Sequence, residues 1–77
     1  MSNQNQALAI CSEFAEEYGI DPHDNETIVV YINSKYINEL KSMLDRKDYK
    51  ISTFQVYGKD ALVNFIPKSR KGKDLDI

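Results

Sequence analysis

Cysteine occurs once in this chain of 77 residues, proline twice, glycine three times and tryptophan not at all. A single cysteine excludes an internal disulfide, and with it the framework of small disulfide-rich secreted domains. So little glycine and proline, beside 42% hydrophobic residues, is untypical of disordered or collagen-like chains. No apolar run approaches the roughly 20 residues of a membrane span, so we expect no membrane partner. The uncharged run Met1–Gln6 predicts no signal peptide, so we expect a cytoplasmic protein.

Lysine and arginine are absent from the first 34 residues, which contain six acidic side chains. Residues 35–77 contain all ten basic residues and the other six acids, so the two parts carry −6 and +4 and together give −2. Such asymmetry either steers partners or lets the two parts attract each other in the fold, and we favour the second interpretation. Abundant Ile, Asn, Lys and Tyr indicate an AT-rich gene, as in a low-GC bacterium or a bacteriophage.

The chain has room for one core, so we predict a single domain over residues 1–67 and a flexible basic and acidic tail over 68–77. Helical spacing of apolar residues predicts a helix over 6–18, with Gly19 as its stop. The β-branched run 27–32 predicts a strand. Asn33 or Ser34 then caps a second helix. The apolar stripe of that helix comprises Tyr36, Ile37, Leu40, Met43 and Leu44.

The last two strands form a predicted hairpin, because Gly58 stands at the first central position of a two-residue type II′ turn. The turn pairs Tyr57 with Asp60 and sets the rest of the register. That register continues with Val56 opposite Ala61, Gln55 opposite Leu62, Phe54 opposite Val63, Thr53 opposite Asn64 and Ser52 opposite Phe65.

The predicted fold class is a small two-layer α/β (α+β) domain with the order α-β-α-β-β. If the first two strands are adjacent and parallel, the second helix connects them as a crossover in a three-stranded mixed sheet. Both helices are apolar on one side only, so they would cover one face of the sheet. The residues predicted to face them are Ile28, Val30, Ile32, Phe54, Val56, Val63 and Phe65.

The opposite face of the sheet is predicted to be uncovered and partly apolar, as interaction sites often are. We take Tyr31, Tyr57, Leu62 and Gln55, all on that face, as candidate partner-binding residues. An alternative is nucleic-acid binding, in which sheet tyrosines stack on bases and the tail contacts phosphates. The candidate phosphate contacts are Lys68, Arg70, Lys71 and Lys73. A pI near 5.2 argues against this alternative.

No residue pattern in the chain indicates catalysis. His23 lies in an acidic loop that lacks the spacing of zinc or calcium ligands, so we expect no metal and no cofactor. Cys11 is the sole thiol, and its central place on the first apolar stripe predicts a buried, inert side chain.

The order of elements from Glu26 to Lys71 resembles the later part of the small SirA/TusA-type sulfur-carrier domains. Residues Cys11-Ser12-Glu13-Phe14 stand where that family has Cys-Pro-x-Pro, although both prolines are absent here. The resemblance implies a two-layer α/β architecture. It also implies a first strand at Ala7–Ile10 and a persulfide-carrying thiol at Cys11, which makes a sulfur carrier a further alternative.

The sequence therefore favours a small non-enzymatic accessory or regulatory protein, bacterial or from a phage. We expect it to act through a protein partner, or as a homodimer, at the uncovered face of the sheet.

Overall fold

The computed structural model describes residues 3–72 and residue 75, and within them two α-helices and four strands. A single 3₁₀ turn at Ser34–Tyr36 precedes the second helix. The helices are α1 (Asn3–Phe14) and α2 (Ile37–Asp45), and the strands are β1 (Glu17–Ile20), β2 (Ile28–Asn33), β3 (Tyr49–Tyr57) and β4 (Asp60–Pro67). All strand pairs are antiparallel, in the order β1-β2-β4-β3. No helix of the described residues is long and apolar enough to cross a membrane.

The predicted three-stranded sheet is wrong, because the segment predicted as the end of the first helix forms a fourth strand. The last helical hydrogen bond of α1 runs from the Ala15 amide to the Cys11 carbonyl, and the next amide, Glu16, already donates to Tyr31 of β2. Tyr18 then pairs with Val30. Pairing with the edge of β2 satisfies the backbone groups of this segment, and its apolar residues at 18 and 20 fit a strand as well as a helix.

The predicted parallel neighbours β2 and β3 are not adjacent, because β4 lies between them. Both are antiparallel to β4, so they run in the same direction without pairing. Burial explains the order: β4 buries Ala61, Val63 and Phe65 almost completely, whereas the second half of β3 is largely exposed. The more deeply buried strand β4 therefore takes a central position with two bonded neighbours, and β3 lies at the edge.

The structure confirms the hairpin register from Tyr57↔Asp60 to Thr53↔Asn64. Gly58 has φ +63°, the left-handed conformation that the first central position of a type II′ turn requires. The predicted pair of Ser52 with Phe65 is wrong, because the register shifts at Ser52 and Ile51 lies opposite Phe65. This bulge turns the apolar Ile51 onto the buried face, where a regular ladder would have placed a serine hydroxyl.

The core lies between the helices and one face of the sheet. The structure confirms burial of five predicted helix-facing residues: Ile28, Val30, Ile32, Val63 and Phe65. The other two residues predicted to face the helices are more exposed than the prediction implied: Phe54 is only partly buried, and Val56 is 58% exposed. Their strand is at the sheet edge, so no further strand covers them from outside. The helices complete the core with Ala7, Cys11, Ile37, Leu40 and Leu44.

The chain after β4 contacts the domain at several points. The Lys68 amide donates to the Asp48 carbonyl, and the Gly72 carbonyl accepts from Lys50 Nζ at 2.9 Å. The Leu75 amide donates to Ile51 on the outer edge of β3 at 3.1 Å. The flexibility predicted for 68–77 stays a prediction.

Candidate functional site

The uncovered sheet face brings three of the four candidate partner-binding residues into one row. Tyr31 of β2 lies opposite Leu62 of β4, which in turn lies opposite Gln55 of β3. Tyr57 lies two residues after Gln55 on the same face of β3 and is 53% exposed. Its hydroxyl donates a hydrogen bond to Gln55 Oε1 at 2.8 Å. We call this surface the open sheet face, defined by Val29, Tyr31, Gln55, Tyr57 and Leu62.

A shallow hollow of about 450 Å³ lies at the β1 side of the open sheet face. Val29, Tyr31 and Leu62 provide apolar lining, and Pro22 borders the hollow from the β1–β2 loop. Gly19 pairs with Val29 and therefore shares this face. A Cβ at Gly19 would meet nothing within 4 Å, so the missing side chain leaves open space there.

Sequence reasoning missed the β1 contribution to this hollow. The helical spacing predicts Gly19 as a helix stop and Tyr18 as part of the helix. The signal in the sequence was Tyr18-Gly19-Ile20, an alternation of bulky and small residues that also fits a short strand. Only the pairing with β2 distinguishes the two interpretations.

Carboxylates surround the Tyr31 end of the open sheet face. Glu17 and Asp21 line the hollow. Partial burial raises the pKa of Tyr31, and Asp60, Glu16 and Glu17 raise it further through their negative charge, Asp60 also through a hydrogen bond. The Tyr31 hydroxyl therefore stays protonated at neutral pH, and the carboxylates make the electrostatic potential negative at this end of the face.

Two of the three candidate phosphate contacts that the structure describes, Lys68 and Arg70, are engaged with carboxylates of the domain. Lys68 Nζ lies 2.6 Å from Asp45 Oδ1 at the end of α2. Arg70 lies 2.8 Å from Asp24 and 3.7 Å from Glu26, both in the β1–β2 loop. Lys71 is exposed, and Lys73 lies outside the described residues. Contact with phosphates stays a prediction for all four.

Asp24 organises the loop between β1 and β2. Its Oδ1 accepts from the amides of Glu26 and Thr27, and its Oδ2 accepts from the Thr27 hydroxyl at 2.6 Å and from Arg70 at 2.8 Å. These bonds hold the pKa of Asp24 well below its usual range, with the Thr27 hydroxyl bond as the largest cause. The geometry is that of a loop held by side-chain to backbone bonds. Within residues 3–72 and 75, no three His, Cys, Asp or Glu side chains are placed so that they could hold a metal ion.

We predict that Asp24→Ala lowers the melting temperature more than Arg70→Ala does. Asp24 satisfies the partly buried Thr27 hydroxyl and two amides, whereas an exposed ion pair alone contributes little. Because the folded pKa of Asp24 is depressed, its contribution is present above the unfolded pKa and is lost as the pH falls below about 4. Thermal unfolding at pH 7 and pH 3 tests this, and a difference between wild type and Asp24→Ala that does not shrink at pH 3 contradicts it.

Cys11 is fully buried beneath the sheet, as the apolar stripe predicted. Burial raises the pKa of its thiol to about 11, so almost no thiolate is present at neutral pH. Ala7–Ile10, the strand that the SirA/TusA resemblance implied, lies inside α1.

Comparison with known proteins gives no relative for this chain: no family model, curated protein or solved structure matches it.

Proposed function

We propose that this chain is a small non-enzymatic accessory or regulatory protein of the bacterial or phage cytoplasm. It binds a protein partner at the open sheet face. The observation that carries the proposal is the hollow lined by Val29, Tyr31 and Leu62, since apolar side chains on an uncovered face gain free energy when a partner covers them.

The chemistry of the hollow defines the partner it fits. An aliphatic or aromatic side chain of the partner would fill the space beside Gly19, and a lysine or arginine next to it would meet Glu17 and Asp21. Aromatic and arginine anchors dominate many protein interfaces. Because carboxylates border the hollow, we expect the association to weaken as salt is raised.

The other two hypotheses have less support from the described residues. Lys68 and Arg70 are already 2.6 and 2.8 Å from carboxylates, which a phosphate would have to displace. A sulfur carrier needs an accessible thiolate, and Cys11 is buried with a pKa of about 11.

The proposal predicts that filling the hollow blocks the partner without harming the fold. Gly19→Val adds a β-branched side chain to a strand where a Cβ meets no neighbour, so thermal stability should stay the same or rise. A photo-crosslinking residue at position 31 would identify the partner in the native host. Isothermal titration should then show about tenfold weaker binding, or more, for Gly19→Val and for Tyr31→Ala.

Tyr36→Ala is the matched control for Tyr31→Ala. Tyr36 is also partly exposed, but it lies at the start of the second helix, with its ring against Phe14. Binding by Tyr36→Ala should equal that of wild type. Unchanged affinity in both Gly19→Val and Tyr31→Ala would rule out the open sheet face as the binding site.

A further inference from the structure

Residues 53–57, the second half of β3, have none of the lysines, prolines, bulges or covering strands that usually keep sheet edges apart, within the part of the chain that the structure describes. The segment 52–57 reads Ser-Thr-Phe-Gln-Val-Tyr, without a charged residue, proline or glycine. It lies at the end of the strand order, and Val56 and Tyr57 are 58% and 53% exposed. Natural edge strands are commonly protected by lysines, prolines or a covering segment. An unprotected edge of this composition is suited to pairing with another strand.

The hairpin geometry identifies which backbone groups face outward. Tyr57 and Asp60 flank the two-residue turn and therefore form a hydrogen-bonded pair. Bonded and non-bonded pairs alternate along an antiparallel ladder, so the amides and carbonyls of Phe54 and Val56 point away from β4. Nearer the start of β3, the Ile51 carbonyl already accepts a hydrogen bond from the Leu75 amide. The segment available to a further strand is thus 53–57.

Charge distinguishes the two edges of the sheet as sites for a second copy of the chain. The β1 edge has Glu16 and Glu17 at its start and Asp21 at its end, so self-pairing there would bring carboxylates together. In a two-fold contact each segment meets itself, and an uncharged segment avoids this repulsion. The β3 edge is therefore the one compatible with a second copy.

We propose that two copies of this chain pair through β3 in antiparallel register, with Gln55 on the two-fold axis. In this register Phe54 lies opposite Val56 of the second copy, and Val56 lies opposite its Phe54. The outward amides and carbonyls of these residues then form four hydrogen bonds across the contact. Phe54 and Val56, left partly or mostly exposed by the isolated domain, cover each other on the helix side of the sheet.

The pairing makes one eight-stranded sheet from two four-stranded sheets. Because the two-fold axis is perpendicular to the sheet, both open sheet faces lie on the same side. The pairing itself does not depend on what the open sheet face binds. Five residues on each side bury less area than a standard interface, so we expect a dissociation constant on the order of 10–100 µM.

A charge-swap experiment tests both the dimer and its register. Sedimentation of the wild-type chain from about 5 to about 500 µM should show the mass rising from 8.9 kDa toward twice that value. Gln55→Lys alone, or Gln55→Glu alone, should raise the dissociation constant about tenfold because like charges meet on the axis. An equimolar mixture of the two variants should restore association, since lysine then faces glutamate.

Two control variants distinguish this dimer from nonspecific association and from partner binding in the hollow. Tyr18→Lys places a charge on the β1 edge and should leave dimerisation unchanged, as should Gly19→Val in the hollow. Circular dichroism checks that each variant is folded. A wild-type chain that stays monomeric at the highest concentration overturns the proposal. So does a dimer that neither Gln55 variant weakens, or a mixture that fails to restore it.

Discussion

Phe65→Ala is expected to remove a large part of the stability of this domain. Phe65 is 1% exposed in the central strand β4, between Ile28 of β2 and Ile51 of β3. Truncating a buried phenylalanine costs about 3–5 kcal/mol, because apolar burial is lost and a cavity remains. The free energy of unfolding of natural domains is about 0.05–0.15 kcal/mol per residue, which gives about 4–12 kcal/mol for a chain of 77 residues.

Urea unfolding of matched variants measures this effect. Phe54→Ala removes the same side chain from a partly exposed edge position and should lower the free energy of unfolding much less. Phe65→Leu keeps most of the volume and should cost less than about 1.5 kcal/mol, which provides a folded reference if Phe65→Ala does not fold. Equal losses for Phe65→Ala and Phe54→Ala would contradict the burial difference between β4 and β3.

The Cys11 thiol is expected to react at least about 100-fold more slowly in the folded chain than in the urea-unfolded chain at pH 8. Its pKa is about 11 in the fold against an ordinary value of 9.0, which alone lowers the thiolate fraction about 100-fold. Complete burial adds a steric barrier to the reagent. A chromogenic disulfide reagent measures both rates. Folded-state reaction within a few fold of the unfolded rate would instead favour the sulfur-carrier hypothesis.

The same raised pKa makes stability fall at alkaline pH. Because the folded pKa of Cys11 lies above the unfolded value, its contribution is fully present below pH 9 and is lost as the pH rises toward 11. Cys11→Ala should cost about 1 kcal/mol or more at pH 7, since a buried apolar group is removed. The difference between wild type and Cys11→Ala should shrink at alkaline pH, and a constant difference would contradict the burial of the thiol.

The two proposals place binding on two exposed surfaces, the open sheet face and the β3 edge. Tyr31 and Leu62 offer apolar area beside an acidic border, and segment 53–57 offers unpaired backbone groups. The two surfaces share Gln55 and Tyr57, whose side chains are joined by a hydrogen bond. Because Gln55 belongs to both surfaces, Gly19→Val, which lies away from the β3 edge, is the variant that separates partner binding from self-association.

Local features of this protein were determined by the sequence alone. Gly58 identified the β3–β4 turn and five of the six predicted pairs, because a positive φ at one residue constrains the strands beside it. Alternation along β2 identified its buried face, and the apolar stripes identified Cys11, Leu40 and Leu44 as core residues. These features depend on neighbours a few residues away, so their patterns are complete within short windows.

Tertiary structure decided the features that depend on distant partners. Glu17–Ile20 became a strand because the edge of β2 was available to it, and Ser52 was bulged because Ile51 packs beside Phe65. The position of β4 beside β2 depends on which strands are buried in the sheet. It places Leu62 of β4 next to Tyr31 of β2, and both residues line the hollow beside Gly19. A four-residue segment has too few residues to specify helix or strand by itself, so the contact that satisfies its backbone and buries its side chains determines its structure.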